Sequence, residues 1–75
     1  MKSKAGRGAP YELVIRGELD ARYGYLFEGM RMELVAGTTV LTGRVRDQAQ
    51  LYGFIGRIEE LGLELLSLQK TNEDS

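Results

Sequence analysis

Two tight pairs of acids, Glu18 with Asp20 and Glu59 with Glu60, are the side chains of this chain best suited by type to general acid and base work. Paired carboxylates do that work only when a cleft holds them in unlike environments that push their pKa values apart. Residues one or two apart on a helix or loop point in different directions, and neither pair has a nucleophile or metal-ligand set around it. Both pairs read as solvated surface, so no catalytic residue is assigned and the chain is expected not to be an enzyme. The sequence has no cysteine and no histidine, which removes disulfides, thiolate and imidazole zinc sites, and every Ser-His or Cys-His nucleophile. No metal and no cofactor is expected.

The cations carry a second kind of chemistry. The only lysines are Lys2, Lys4 and Lys70, all near the ends, and every cation between residues 5 and 69 is an arginine. Guanidinium forks suit anion recognition, although codon usage of the source accounts for the bias more simply. Arg16, Arg31, Arg44 and Arg46 can bind phosphate, but Glu12 and Glu33 dilute their field, and the formal net charge is -1. The aromatics Tyr11, Tyr23, Tyr25, Phe27, Tyr52 and Phe54 offer stacking platforms only if strands present them, as RNA-binding sheets do. The third strand expected below contains none. Core and rim aromatics are the better account, and nucleic-acid binding is disfavoured.

A chain of 75 residues folds as one small domain with a thin core, which leaves packing and self-association as its supports once disulfides and metals are gone. Residues 1–10 hold Lys2, Lys4, Arg7, Gly6, Gly8 and Pro10 with almost nothing apolar, and read as a disordered basic arm; residues 71–75 read as a disordered acidic tail. The start is charged but has no apolar stretch behind it, so it does not read as a secretory signal. No apolar run approaches the ~20 residues that span a bilayer. No membrane partner is expected, and cytoplasmic residence is the default.

Between these ends, residues 11–70 are expected to form a single domain. Tyr11 to Gly17 is a strand with Leu13 and Ile15 on one face and Glu12, Val14 and Arg16 on the other. Leu19, Tyr23, Leu26 and Phe27 make one helical stripe, with Asp20 as N-cap and Gly29 past the end. Tyr23, Tyr25 and Phe27 also alternate as a strand would, and Gly24 weakens a helix, so residues 19–29 are read as a short two-turn helix with a strand as the alternative. Met30 to Ala36 is a half-buried strand, Gly37 and Thr38 a tight turn, and Thr39 to Arg46 the returning strand. Asp47 and Gln50 form a capping box, Leu51, Phe54, Ile55, Ile58 and Leu61 a core-facing stripe, and Gly62 a Schellman stop with Ile58 and Leu63 in contact. Leu63 to Gln69 is the last strand. The order is β-α-β-β-α-β: an α+β, ferredoxin-like sandwich with both helices on one face of a four-stranded antiparallel sheet. Strand one lies beside strand three, strand four flanks strand one, and strand two is the other edge.

The stretch Thr38 to Leu68 resembles a group of small, uncharacterised bacterial proteins with the pattern T-x-L-x-G-x-V-x-D-Q-A-x-L-x-G, then L-G-L-x-L-L-S. Here it is carried by Thr39, Leu41, Gly43, Val45, Asp47, Gln48, Ala49, Leu51 and Gly53, then Leu61 to Leu63, Leu65, Leu66 and Ser67. The resemblance covers about the last half of the folded region. It implies a stand-alone domain of unknown role and no catalytic residue.

Two surfaces remain as binding candidates. Ala49, Gly53 and Gly56, with Glu60, form a small-residue stripe on the main helix, read as lying beside the apolar one. It suits close approach of a backbone from a second subunit or the first helix, or makes room inside the fold. The other is the sheet face turned from the helices. Alternation counted through regular strands sends Val14, Val35, Val40, Leu66 and Leu68 outward among Arg16, Arg31, Glu33, Thr42 and Arg44. Five branched apolar side chains together approach the patch size that marks a partner. The leading expectation is a non-enzymatic homo-oligomeric interaction module, most simply a dimer packed sheet to sheet, with another protein as a further partner class. The alternatives are a small-ligand regulatory domain with its site near Arg16 and Arg44 at the subunit boundary, and a weak nucleic-acid binder using strand arginines and the basic arm.

Overall fold

The computed structural model describes residues 8–71. Strands β1 (Ala9–Arg16), β2 (Met30–Val35), β3 (Thr38–Val45) and β4 (Leu65–Lys70), a 3-10 helix (Ala21–Phe27) and helix α1 (Gln48–Glu60) follow one another in the order β1, 3-10, β2, β3, α1, β4. The four strands form one sheet in the order β2-β3-β1-β4, with every neighbouring pair antiparallel. This is the expected strand order in a small α+β domain. Strand β1 starts at Ala9, so Ala9 and Pro10 of the expected arm belong to the sheet, and Thr71 of the expected tail donates its N–H to Pro10 O at 2.9 Å; residues 1–7 of the arm and 72–75 of the tail lie outside the described residues.

Local signals account for the helices. The Asp47 carboxylate accepts the Gln50 amide at 2.9 Å, while the Gln50 side-chain carbonyl reaches back to the Arg46 amide at 2.6 Å. The capping box is therefore present, with its return bond displaced by one residue. At the other end Gly62, at φ 76°, closes a Schellman turn in which Leu63 N–H donates to Ile58 O and Gly62 N–H to Glu59 O, each at 3.0 Å. The segment at 21–27 is helical rather than extended, but wound as 3-10 instead of the two α-turns expected. Asp20 caps it as expected, its Oδ1 accepting from Arg22 N–H at 3.0 Å, and Tyr23 N–H closes an i→i+3 bond to Asp20 O at 3.0 Å. With Gly24 in its middle, seven residues are too few for α-helical propagation to win.

The hairpin turn is one residue earlier than expected. Val35 pairs with Thr38, which leaves Ala36 and Gly37 as the loop, at φ 46° and 83°. Two positive φ values mark a type I′ turn, whose twist matches the strands it joins. Close approach fixes one more glycine: a Cβ at Gly43 would lie 2.7 Å from the Gly29 carbonyl oxygen.

The core lies between the helices and one sheet face: Leu13, Ile15, Leu41 and Val45 from the strands meet Leu51, Phe54 and Ile58 of α1, with Leu19 and Phe27 from the first connection. The rings of Phe27 and Phe54 stand 5.7 Å apart, tilted by 48°. Thr39 is the only buried polar side chain among the described residues. Its hydroxyl donates to Gly17 O and accepts from Leu19 N–H, both at 2.8 Å, tying the β1 exit to the centre of the sheet.

Candidate functional site

Cross-strand partners share a face, so the register sorts every strand residue. Leu13 pairs with Leu41, which pairs with Met32, and Ile15 pairs with Thr39, which pairs with Leu34; these form the helix side. Successive rows of the other, open face read Arg31–Thr42–Glu12–Gln69, then Glu33–Val40–Val14–Ser67, then Val35–Thr38–Arg16, with Arg44 beside Pro10 at one end. Val14, Val40 and Thr42 are half-buried at the centre, while Arg16, Arg31, Glu33, Val35 and Arg44 are exposed. These eight positions face outward as expected.

Leu66 and Leu68 do not. The β1–β4 ladder runs Tyr11–Lys70, Glu12–Gln69, Leu13–Leu68 and Val14–Ser67, then jumps to Ile15–Leu65. Leu66 is the extra residue of a β-bulge, and one extra residue reverses the face of everything counted past it. Leu68, opposite Leu13, therefore lies on the helix side, and alternation back from Ser67 turns Leu66 the same way. The open face loses two of its five expected apolar members and is left with a central pair of valines, a separate edge valine, and polar or charged neighbours.

Exposed apolar side chains lie instead toward the two edges of the sheet, Tyr25, Leu34 and Val35 by β2 and Tyr52, Leu66 and Leu68 by β4, where the helices fail to reach. The 3-10 helix packs on β2 and α1, and α1 on β3 and the 3-10 helix, whereas β4 packs chiefly against β1. Gln50, Gly53 and Arg57 line a depression of about 220 Å³ with Tyr25 and Leu26, on the flank of α1 next to the 3-10 helix. At 3.6 residues per turn the opposite flank, above β4, carries Tyr52, Ile55 and Glu59. Tyr52 is 63% exposed, Leu66 41% and Leu68 38%, and Tyr11, Ile55, Leu63 and Leu65 border them half-buried. This strip runs along an edge strand. The sequence signal for it was the Leu65-Leu66 doublet, which period-two counting treats as one residue in and one out.

The small-residue stripe falls on the outer side of α1, nearly opposite Leu51, Phe54 and Ile58 rather than beside them. Ala49 is exposed, a Cβ at Gly56 would meet nothing within 4 Å, and one at Gly53 only Arg57 Nη1 at 3.7 Å. Among the described residues, no other element presses on either glycine.

Arg16 and Arg44 do not converge. Arg16 pairs with Thr38 and Arg44 with Pro10, at opposite ends of the β1–β3 ladder, about 20 Å apart at the usual rise of a strand. Arg16 Nε bonds Glu64 Oε1 at 2.8 Å, and Arg44 Nη1 donates to Gly8 O at 3.3 Å. The open face carries no aromatic side chain at any strand position, so it offers no stacking platform. Glu18, Asp20, Glu59 and Glu60 are all exposed, and among the described residues no group of three or more acids could hold a metal ion. Shallow depressions of about 270 Å³ beside Tyr11, Arg46 and Leu51, and about 290 Å³ beside Arg44, Arg46 and Gln50, contain no buried polar side chain aimed into them. No helix among the described residues is long and apolar enough to cross a membrane.

Comparison with curated proteins and with solved structures gives no match. A family match does exist, and it reaches beyond the Thr39–Ser67 pattern across both halves of the sheet. It spans residues 10–69, from β1 into β4, and the chain belongs to that family, described as a domain of unknown function, DUF8691.

Proposed function

We propose that this domain is a non-enzymatic, self-associating interaction module, and that its contact surface is the apolar strip along β4 rather than the open sheet face. One observation carries the reading: the helical layer stops short of β4, leaving Leu66, Leu68 and Tyr52 in water beside a core of nine buried apolar residues. A core of that size supplies only a few kcal/mol at this chain length. Covering the strip adds to it, since anything that binds the folded form alone stabilises it by mass action. We read the architecture as the ferredoxin-like plan, in keeping with the strand order β2-β3-β1-β4 and the helical segments that follow β1 and β3. In this reading the open face, polar at its rim, stays in solvent.

Analytical ultracentrifugation tests the proposal. Sedimentation should shift from monomer toward dimer as concentration rises over about two decades from about 10 μM, as mass action dictates for a small contact. Leu68→Glu should hold the protein monomeric throughout, while Val14→Glu, in the centre of the open face, should leave the shift intact. The reverse pattern would restore a sheet-to-sheet dimer, and a wild type that stays monomeric over the whole range would end the proposal.

A further inference from the structure

We infer that β4 has two registers on β1, exchanged by resolving its bulge, and that the Arg16–Glu64 ion pair selects the one observed. The inference concerns a single chain and holds whether or not copies associate.

In the observed register Leu65 stands opposite Ile15, Leu66 is the extra residue and Ser67 stands opposite Val14. A regular ladder would run one step further, with Leu66 opposite Ile15 and Leu65 opposite Arg16. Ser67 to Lys70 keep their partners in both registers, and so does the Thr71 N–H bond to Pro10 O. Residues 64–66 alone exchange places, and the connection from Gly62 takes up the slack.

Packing selects weakly between the two. The fully buried Ile15 meets a leucine either way, because the bulge falls on a doublet of identical residues. The bulge leaves one residue outside the ladder, which the regular register would pair. Against that, regular alternation would turn Leu65, now half-buried, to the open face beside Arg16. Leu66, now exposed, would take its place against Ile15. Each arrangement leaves one leucine of the doublet facing water.

Backbone bonding selects no better. Arg16 N–H donates to Glu64 O at 2.9 Å, and in the regular register the Leu65 carbonyl would stand in that position. The side chains do differ. Arg16 Nε donates to Glu64 Oε1 at 2.8 Å, because the bulge brings Glu64 level with Arg16 on the open side. Without the bulge, Glu64 moves on to Gly17 and alternation turns it to the helix side, away from Arg16. The two side chains are 66% and 63% exposed, so their bond is screened by salt and changes the ratio of registers by up to about fivefold. That is enough to tip a balance between two leucines. The second register would also withdraw Leu66 from the strip beside Tyr52 and add Leu65 to the open row of Val35, Thr38 and Arg16.

Nuclear magnetic resonance of dilute protein tests the inference. Pro10 and Arg16 are bonded positions of β1 toward β4, so Ile15 is a non-bonded one, with its facing Cα about 4.5 Å away. In the native chain Ile15 Hα should give its Overhauser contact to Leu65 Hα, and relaxation dispersion at the Leu65 and Leu66 amides should report the minor register. Glu64→Lys exchanges attraction for repulsion at an exposed position and should raise the minor register about fivefold, seen as a growing Ile15–Leu66 contact. Arg16→Gln removes the bond from the other side, and about 1 M salt screens it; both should act in the same direction. Leu65→Thr, which suits the open face better than the core side, should make the Ile15–Leu66 contact the main one. If Leu65→Thr moves the ladder while Glu64→Lys and Arg16→Gln keep only the Ile15–Leu65 contact, packing sets the register and the inference is overturned. It is equally overturned if no variant shows Ile15 against Leu66.

Discussion

Thr39 shows how much of this small fold rests on single side chains. Its hydroxyl is fully buried and serves Gly17 O and Leu19 N–H at once, both at 2.8 Å. Thr39→Val keeps the shape and strands both backbone groups, each costing about 1–3 kcal/mol when unpartnered in the interior. The expected loss of about 2–6 kcal/mol is comparable to what one core supplies at this length, so the variant should be largely unfolded by circular dichroism at 37 °C. Thr39→Ser retains the hydroxyl and gives up one methyl, about 1 kcal/mol, and should stay folded. Nothing in the sequence marked Thr39 for a structural role, because a threonine in a strand is common on either face. Alternation put Thr39 on the Leu41 face, but its role depends on the loop that closes over it, and that is a tertiary fact. Ala36 is similar: the turn was legible from Gly37, but an alanine at φ 46° runs against its own preference and displaced the expected loop by one residue.

At the level of elements, the signals that were read correctly are those with short-range causes. Asp47, Gln50, Gly62 and Leu63 act within a few residues of one another, and each appears in the role its spacing gave it. The 3-10 winding of Ala21–Phe27 was less legible, because Gly24 and the seven-residue length bear on propagation rather than on pattern. Helix α1 leaves a puzzle that stability measurements can resolve. Gly53 and Gly56 each cost a helix interior about 0.5–1 kcal/mol relative to alanine, and nothing within the chain crowds them. Gly56→Ala should therefore raise the melting temperature by several degrees and leave the sedimentation profile unchanged. If it instead lowers the association constant, the outer side of α1 takes part in contacts between copies.

For the molecule as a whole, strand order was legible because right-handed crossovers and short connections leave few topologies open. The candidate surface was legible only in part. Composition and length pointed to an uncovered apolar region, and the doublets Leu13-Val14, Val40-Leu41 and Leu65-Leu66 showed where to look. The first two doublets resolve as one residue in and one out. The third does not, since it sits at a bulge, and bulges obey no rule of period. That single irregularity moved Leu66 and Leu68 from the open face to the helix side of an edge strand, and with them the proposed contact from the sheet face to that edge. It also has a genetic corollary. Removing one codon from a strand ordinarily turns every later side chain to the wrong surface. Here the codon for Leu66 is dispensable: without it, Leu65 and Ser67 keep their partners Ile15 and Val14, and the ladder becomes regular. A chain shortened by that leucine should fold with Leu68 still against Leu13, a neighbourhood that methyl nuclear Overhauser contacts would report.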